Sequence, residues 1–155
     1  MLNDLIQEFD TAMMTTLGRD GHLHSRPMAT QKPQPDSPIW FVAAMETAKI
    51  EDLRQDPRIN LAYYNPGNRA WVSLSGRVSL NQDRERIKRL WQEDWKIWFP
   101  EGPDQPGLVL IDVVPQTATY WEPEKGRIGT LFDLAKAYVK GQEPEIKPPV
   151  TVNTP

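Results

Sequence analysis

Residues 58–80 read "RINLAYYNPGNRAWVSLSGRVSL", and their pattern decides the fold class. Polar and apolar residues alternate along "RINLAYYN" and again along "RAWVSLSGRVSL", the period of a half-buried strand, and "PGN" between them is turn chemistry. Two such strands across a short turn predict an antiparallel hairpin. In the second strand Trp71, Ser73 and Ser75 fall on one face and Val72, Leu74 and Val78 on the other. Gly76, inside the strand, signals a bulge or the close approach of another group.

Upstream, "AMMTTL" and "HLHSRPMATQ" flank "GRDG" at Gly18–Gly21 and read as a second hairpin. Counted from that turn, Leu23, Ser25, Pro27 and Ala29 share one face, and His24, Arg26, Met28 and Thr30 the other. Pro27 has no N–H for a ladder, so it requires an edge, a bulge or a missing neighbour. "IWFVAA" is a short apolar strand after the turn-rich "KPQPDSP". "TAKIEDLRQDP" predicts a helix capped by Thr47 and closed by Pro57. Leu2, Leu5, Ile6 and Phe9 recur at helical spacing.

Downstream, "NQDRERIKRLWQEDWKIWF" predicts one helix opening at an Asn81 cap, with Ile87, Leu90, Trp91, Trp95 and Trp98 on one face. "LVLIDVV" and "TATYWE" read as two strands broken at Pro115, and "LFDLAKAYVKG" as a last short helix. The expected organisation is one domain over residues 1–142 and a proline-rich tail over 143–155, extended or disordered. Seven short strands joined mostly by tight turns, with helices inserted and flanking, predict a mainly β (α+β) protein. The architecture expected is an antiparallel barrel rather than a run of βαβ units.

Composition excludes several classes. There is no cysteine, so disulfides and thiolate metal sites are ruled out and a reducing compartment is compatible. The first residues are acidic and broken by charge, unlike a signal peptide, and no apolar run is long enough to span a bilayer. The expected localisation is cytoplasmic, away from membranes. A net charge of −3 without a basic block leaves no electrostatic footprint for nucleic acid. His22 and His24 share a strand face, but no third histidine exists, so no metal site is expected. Neither a nucleophile elbow nor a dinucleotide fingerprint occurs. Six tryptophans in 155 residues are more than one small barrel buries, so some are expected between subunits.

Lys49 stands at the second position of the predicted helix after Thr47. A cation there is slightly unfavourable unless an anion occupies the helix N-terminus. Thr47, Lys49 and the free N–H groups would suit a phosphate; equally, spacing alone is satisfied by a solvated lysine behind an ordinary cap. Arg26 reads the same two ways.

Taken in order, "SRPM", "IWFVAAMETAKIEDLRQDPRINLAYY", "WVSLSGRVSLNQDRERIKRLW", "WFPEGPDQPGLVLIDVVP" and "ATYWEP" resemble the general stress protein subgroup of the pyridoxamine 5′-phosphate oxidase-like, FMN-binding split barrels. The resemblance covers roughly residues 5 to 125. It implies a split β-barrel homodimer with FMN in clefts between the subunits, and Arg26, Thr47 and Lys49 on the FMN phosphate. It further implies that the backbone around Pro27 and Met28, with Phe41 and Val42, lines the flavin ring. Ser73, Ser75 and Gly76 would lie near the ring or ribityl chain, and Trp98 and Trp121 would approach from the partner subunit.

The chain also departs from the oxidase branch. Gln31 and Ala48 stand where that branch has a phosphate-binding lysine and arginine, and Arg127 is followed by Ile128, Gly129, Thr130 and Leu131 where it grips a pyridoxal substrate. This argues against vitamin B6 oxidation. The expected function is an FMN-dependent redox protein with no assigned acid, base or electron donor. The alternatives are a non-catalytic flavin carrier or sensor, and a relative that binds a deazaflavin or haem.

Overall fold

The computed structural model describes residues 7–121 and 150–153. Both predicted hairpins form. The first is β1 (Thr11–Leu17) and β2 (Leu23–Ala29), the second β4 (Arg58–Asn65) and β5 (Ala70–Asn81), with β3 (Trp40–Ala44) and α1 (Ala48–Gln55) between them. There follow α2 (Arg84–Leu90), a 3₁₀ turn (Glu93–Ile97), β6 (Leu108–Trp121) and β7 (Val150–Asn153). Every pairing is antiparallel, in the order β2-β1-β4-β5-β6-β3, with β7 beside β6. The ends of this path, β2 and β3, are not paired with each other, and the curled sheet is the antiparallel split barrel expected.

Alternation sorts the side chains. Ala12, Met14, Met28, Leu61, Tyr63, Val72 and Leu74 point inward with Phe41, Val109 and Ile111 to form the main core, joined by Ile50 and Leu53 of α1. A second apolar layer on the far side of β3 and β6 gathers Trp40, Leu108 and Leu110 with Ile87 and Leu90 of α2, Trp95 and Phe99. β3 and β6 are therefore buried on both faces, which is why "IWFVAA" and "LVLI" are unbroken apolar runs while the hairpin strands alternate. β2 is the terminal strand and pairs only β1, with Pro27 opposite Met13. The edge accounts for the proline, and no bulge is needed.

Three expectations are corrected. Pro115 does not divide two strands: β6 runs unbroken from Leu108 to Trp121, and its register against β5 steps from Pro115 opposite Gly76 to Thr117 opposite Ser75. The bulge absorbs the proline. It also explains Gly76, where a Cβ would run into the Val114 carbonyl oxygen of β6; the close neighbour is the adjacent strand. Gly76→Ala is expected to cost about 1–3 kcal/mol, as overpacking against fixed backbone does. Urea unfolding checks this, and an unchanged midpoint would refute it.

The second predicted helix is interrupted. Asn81 stays in β5 and accepts the Asp83 N–H, while Asp83 is the true cap, its carboxylate accepting the Glu85 N–H at 3.0 Å. α2 stops at Trp91, whose extended backbone lets its ring meet Trp95 edge-on at 5.4 Å, and Trp95 meets Trp40 at 6.0 Å. The break sacrifices the predicted stripe: Trp95 is buried but Trp98 is 62% exposed. Finally, Thr47 occupies the N-cap of α1 without capping it, because its hydroxyl donates backwards to the Ala44 carbonyl at 2.8 Å.

Within the proline-rich tail, Val150–Asn153 forms β7, pairing with Thr117–Tyr120 of β6. The helix expected at residues 131–141 lies outside the described residues, as does most of that at 2–9. Its last residue, Phe9, is buried with its ring 5.3 Å from Tyr63.

Candidate functional site

Alternation points Arg26 inward from the edge strand, beside Met28, into a place that is not fully apolar. Its Nη1 donates to the Thr16 hydroxyl of β1 at 2.7 Å and to the Met14 carbonyl at 3.3 Å, and its Nη2 lies 3.7 Å from Asp52 Oδ2 of α1. Thr16 in turn donates to Asp52 Oδ2 at 2.8 Å. Partial burial lowers the Arg26 pKa, opposed by the charge of Asp52.

Lys49 stands one turn before Asp52 on α1, so the helix periodicity directs both toward the same region. The lysine is half-buried. Its pKa is lowered, first by burial and then by the positive charge of Arg26. Among the described residues no salt bridge engages Lys49, while Asp52 is shared by Arg26 and Thr16. Glu51 of the first turn is exposed and paired with Arg19 at 3.5 Å, so the two partly desolvated cations beside the single carboxylate of Asp52 leave a surplus positive charge at the start of α1, where the first N–H groups have no intrahelical acceptor. That combination suits an anion, and a phosphate monoester fits its charge and donors.

A second group lies on the outer face. Ser73 and Ser75 are half-buried, and Asn60 Nδ2 of β4 donates to both hydroxyls, at 2.9 and 3.1 Å. Pairing aligns Pro27, Met13, Ala62, Ser73 and Thr119 across five strands, with Ser25, Thr15, Asn60, Ser75 and Thr117 as the next row. Beyond them Tyr64 stacks on Trp71 at 5.1 Å, and Trp71 stands opposite Trp121. Tyr64, Trp71 and Trp121 are 50, 41 and 40% exposed, an unusual aromatic expanse for a sheet face. Three strand spacings, roughly 14 Å, separate Arg26 on β2 from the serines on β5.

The remaining candidates are distributed differently. Met28 and Phe41 are buried in the main core, and Val42, partly buried, packs against the second layer. Gly76 is engaged by the bulge, and Trp98, exposed, follows the 3₁₀ turn as its C-cap. Thr16, Asn60 and Asp52 were not singled out from the sequence. A threonine on the same face as Ala12 and Met14 was the available signal for Thr16; nothing local marked Asp52 or Asn60 as partners of this site.

Comparison with known proteins agrees with this architecture. The family model described as pyridoxamine 5′-phosphate oxidase like matches residues 1–145. The chain is 30% identical over 152 residues to Protein bli-3 of Neurospora crassa, covering 92% of this chain and 70% of that protein. A crystal structure of a general stress family protein from Xanthomonas campestris pv. campestris superposes with a TM-score of 0.64 at 30% identity, covering 81% of this chain and 86% of the other. A pyridoxamine 5′-phosphate oxidase-related, FMN-binding protein from Nostoc punctiforme shares the fold, with a TM-score of 0.58 at 17% identity over 78% of each chain. With the split barrel, the anion-suited helix start and these relatives in agreement, the chain belongs to the pyridoxamine 5′-phosphate oxidase-like family, in its general stress protein subgroup.

Proposed function

We propose that this protein binds FMN and serves as a flavin-dependent redox protein, working as a homodimer. The observation that carries the reading is Lys49, half-buried beside Arg26 and, among the described residues, in no salt bridge. Arg26, Lys49 and the first N–H groups of α1 hold the phosphate. Thr47 contributes through its place at the helix start, its hydroxyl being engaged by Ala44. From a phosphate at the start of α1, the ribityl chain would pass around the free edge of β2, and the ring would lie on the opposite, outer face that carries Pro27, Ser73 and Ser75. FMN supplies the electron-transfer chemistry when bound, and the protein supplies orientation and electrostatics. The FMN-binding relative from Nostoc punctiforme supports the choice of ligand.

The exposed Tyr64, Trp71 and Trp121 beside Met13 support the dimer. A second copy seated on this face would bury them and close the flavin cleft, with Trp121 and Trp98 of each subunit approaching the other's FMN. Purified protein is expected to carry flavin absorption bands and to scatter light as a dimer. Lys49→Ala should raise the FMN dissociation constant about tenfold, the share of one charge-assisted hydrogen bond. A fully flavinated monomer at micromolar concentration would refute the shared cleft. Steady-state turnover with reduced nicotinamide and an electron acceptor separates an oxidoreductase from a carrier or sensor.

A further inference from the structure

Thr16 is an anomaly in the core. It is 1% exposed on the inward face of β1, in register with Ala12 and Met14. A hydroxyl in such a row must be satisfied by specific partners. Its single O–H is spent on Asp52 Oδ2 at 2.8 Å, so it can only accept from Arg26 Nη1, at 2.7 Å. The hydroxyl thus has a defined polarity, receiving from the arginine and giving to the aspartate. Through it three elements are tied together: β2 by Arg26, β1 by Thr16 and α1 by Asp52.

We infer that Thr16 and Asp52 are positioning residues for Arg26, forming a buried relay that sets the phosphate selectivity of the site without touching the phosphate. The inference rests on the FMN reading above. Nη1 is consumed by Thr16 and the Met14 carbonyl. Among the described residues no hydrogen bond engages Nε or Nη2, so that edge of the planar fork is the one presented outward. Nη2 at 3.7 Å from Asp52 is attracted by the carboxylate without being bonded to it, and so remains available as a donor. A long, flexible side chain is thereby ordered on folding, before any ligand arrives, and binding no longer bears that loss of rotamer freedom. α1 supplies the counter-charge and the second cation from one face, with Lys49 and Asp52 three residues apart. A shift of α1 would therefore move both groups relative to the arginine.

The test titrates FMN and riboflavin separately into the full-length chain freed of flavin, comparing wild type with Thr16→Val and Thr16→Ser. Valine keeps the shape and removes the hydroxyl; serine restores it. Thr16→Val is expected to raise the FMN dissociation constant about tenfold and leave that of riboflavin unchanged, and Thr16→Ser to return FMN affinity to the wild-type level. An unaltered FMN-to-riboflavin ratio in the valine variant overturns the relay while leaving the phosphate reading standing. A wild-type protein that does not prefer FMN overturns the phosphate reading and the relay with it. If the valine variant binds neither flavin, Thr16→Ala carries the same prediction without the added methyl. Loss of riboflavin binding in both variants would make Thr16 a purely structural residue and overturn the proposal.

Discussion

FMN is expected to bind this protein at least about a hundredfold more tightly than riboflavin. The two ligands differ only in the phosphate, and Arg26 and Lys49 are the cations available to it. Losing two charge-assisted hydrogen bonds costs roughly 3–6 kcal/mol before compensation, and the lower figure already exceeds a hundredfold. Both side chains are partly withdrawn from water, since burial is the leading cause of the lowered pKa at each. The preference should therefore persist at moderate salt, where a purely surface attraction would be screened. Fluorescence-quenching titrations of both flavins give the ratio directly. Equal affinities would remove the phosphate assignment, and a preference that collapses with salt would place the cations at the surface.

Asp112→Ala should destabilise the fold by about 3–5 kcal/mol, the penalty for stripping a buried charge of its partner. Arg86 of α2 is only 8% exposed and is held by Asp112 of β6 through two hydrogen bonds, at 2.7 and 2.6 Å. Ser37 also donates to the same carboxylate, at 2.5 Å. These groups line a cleft of about 360 Å³ between the loop before β3, α2 and β6. Among the described residues the Arg86 Nε is buried without a partner, and Asp36 and Asp83 act on the arginine only through charge, so the two hydrogen bonds to Asp112 are lost without a bonded replacement. Replacing both residues, as Arg86→Met with Asp112→Leu, should recover most of the loss, because an apolar pair of similar volume often matches a buried ion pair. A single variant as stable as wild type in urea would refute the argument.

The same pair sets an acid limit. Burial works to raise the Asp112 pKa from 3.8, but hydrogen bonds from Arg86 and Ser37, with the arginine's charge, outweigh it and the value is lowered. A carboxylate with a lowered folded pKa contributes stability that is present above the unfolded value and is lost as pH falls through the folded one. Stability should therefore decline below about pH 4, and Asp112→Asn should flatten that decline.

The amino-acid pattern by itself determined the antiparallel strands, both hairpins, the shared face of Arg26 and Met28, and a bulge or close approach at Gly76. Each of these rests on residues a few positions apart: strand alternation, turn chemistry at "GRDG" and "PGN", and the missing N–H of Pro27 are local properties. The tertiary structure alone decided the rest. Pro115 lies inside a continuous β6 because pairing along both flanks outweighs one lost N–H, and the helix before it stops at Trp91, where the rings of Trp91, Trp95 and Trp40 meet edge-on. At the site, Thr16 meets Asp52 across 36 residues, and Asn60 reaches Ser73 and Ser75 only because β4 pairs β5 in one register. Such partners depend on which strand lies beside which, and sequence spacing carries no record of that. Hence the cations were visible as residue types, but the carboxylate and hydroxyl that orient one of them appear only once α1 is laid against β1 and β2.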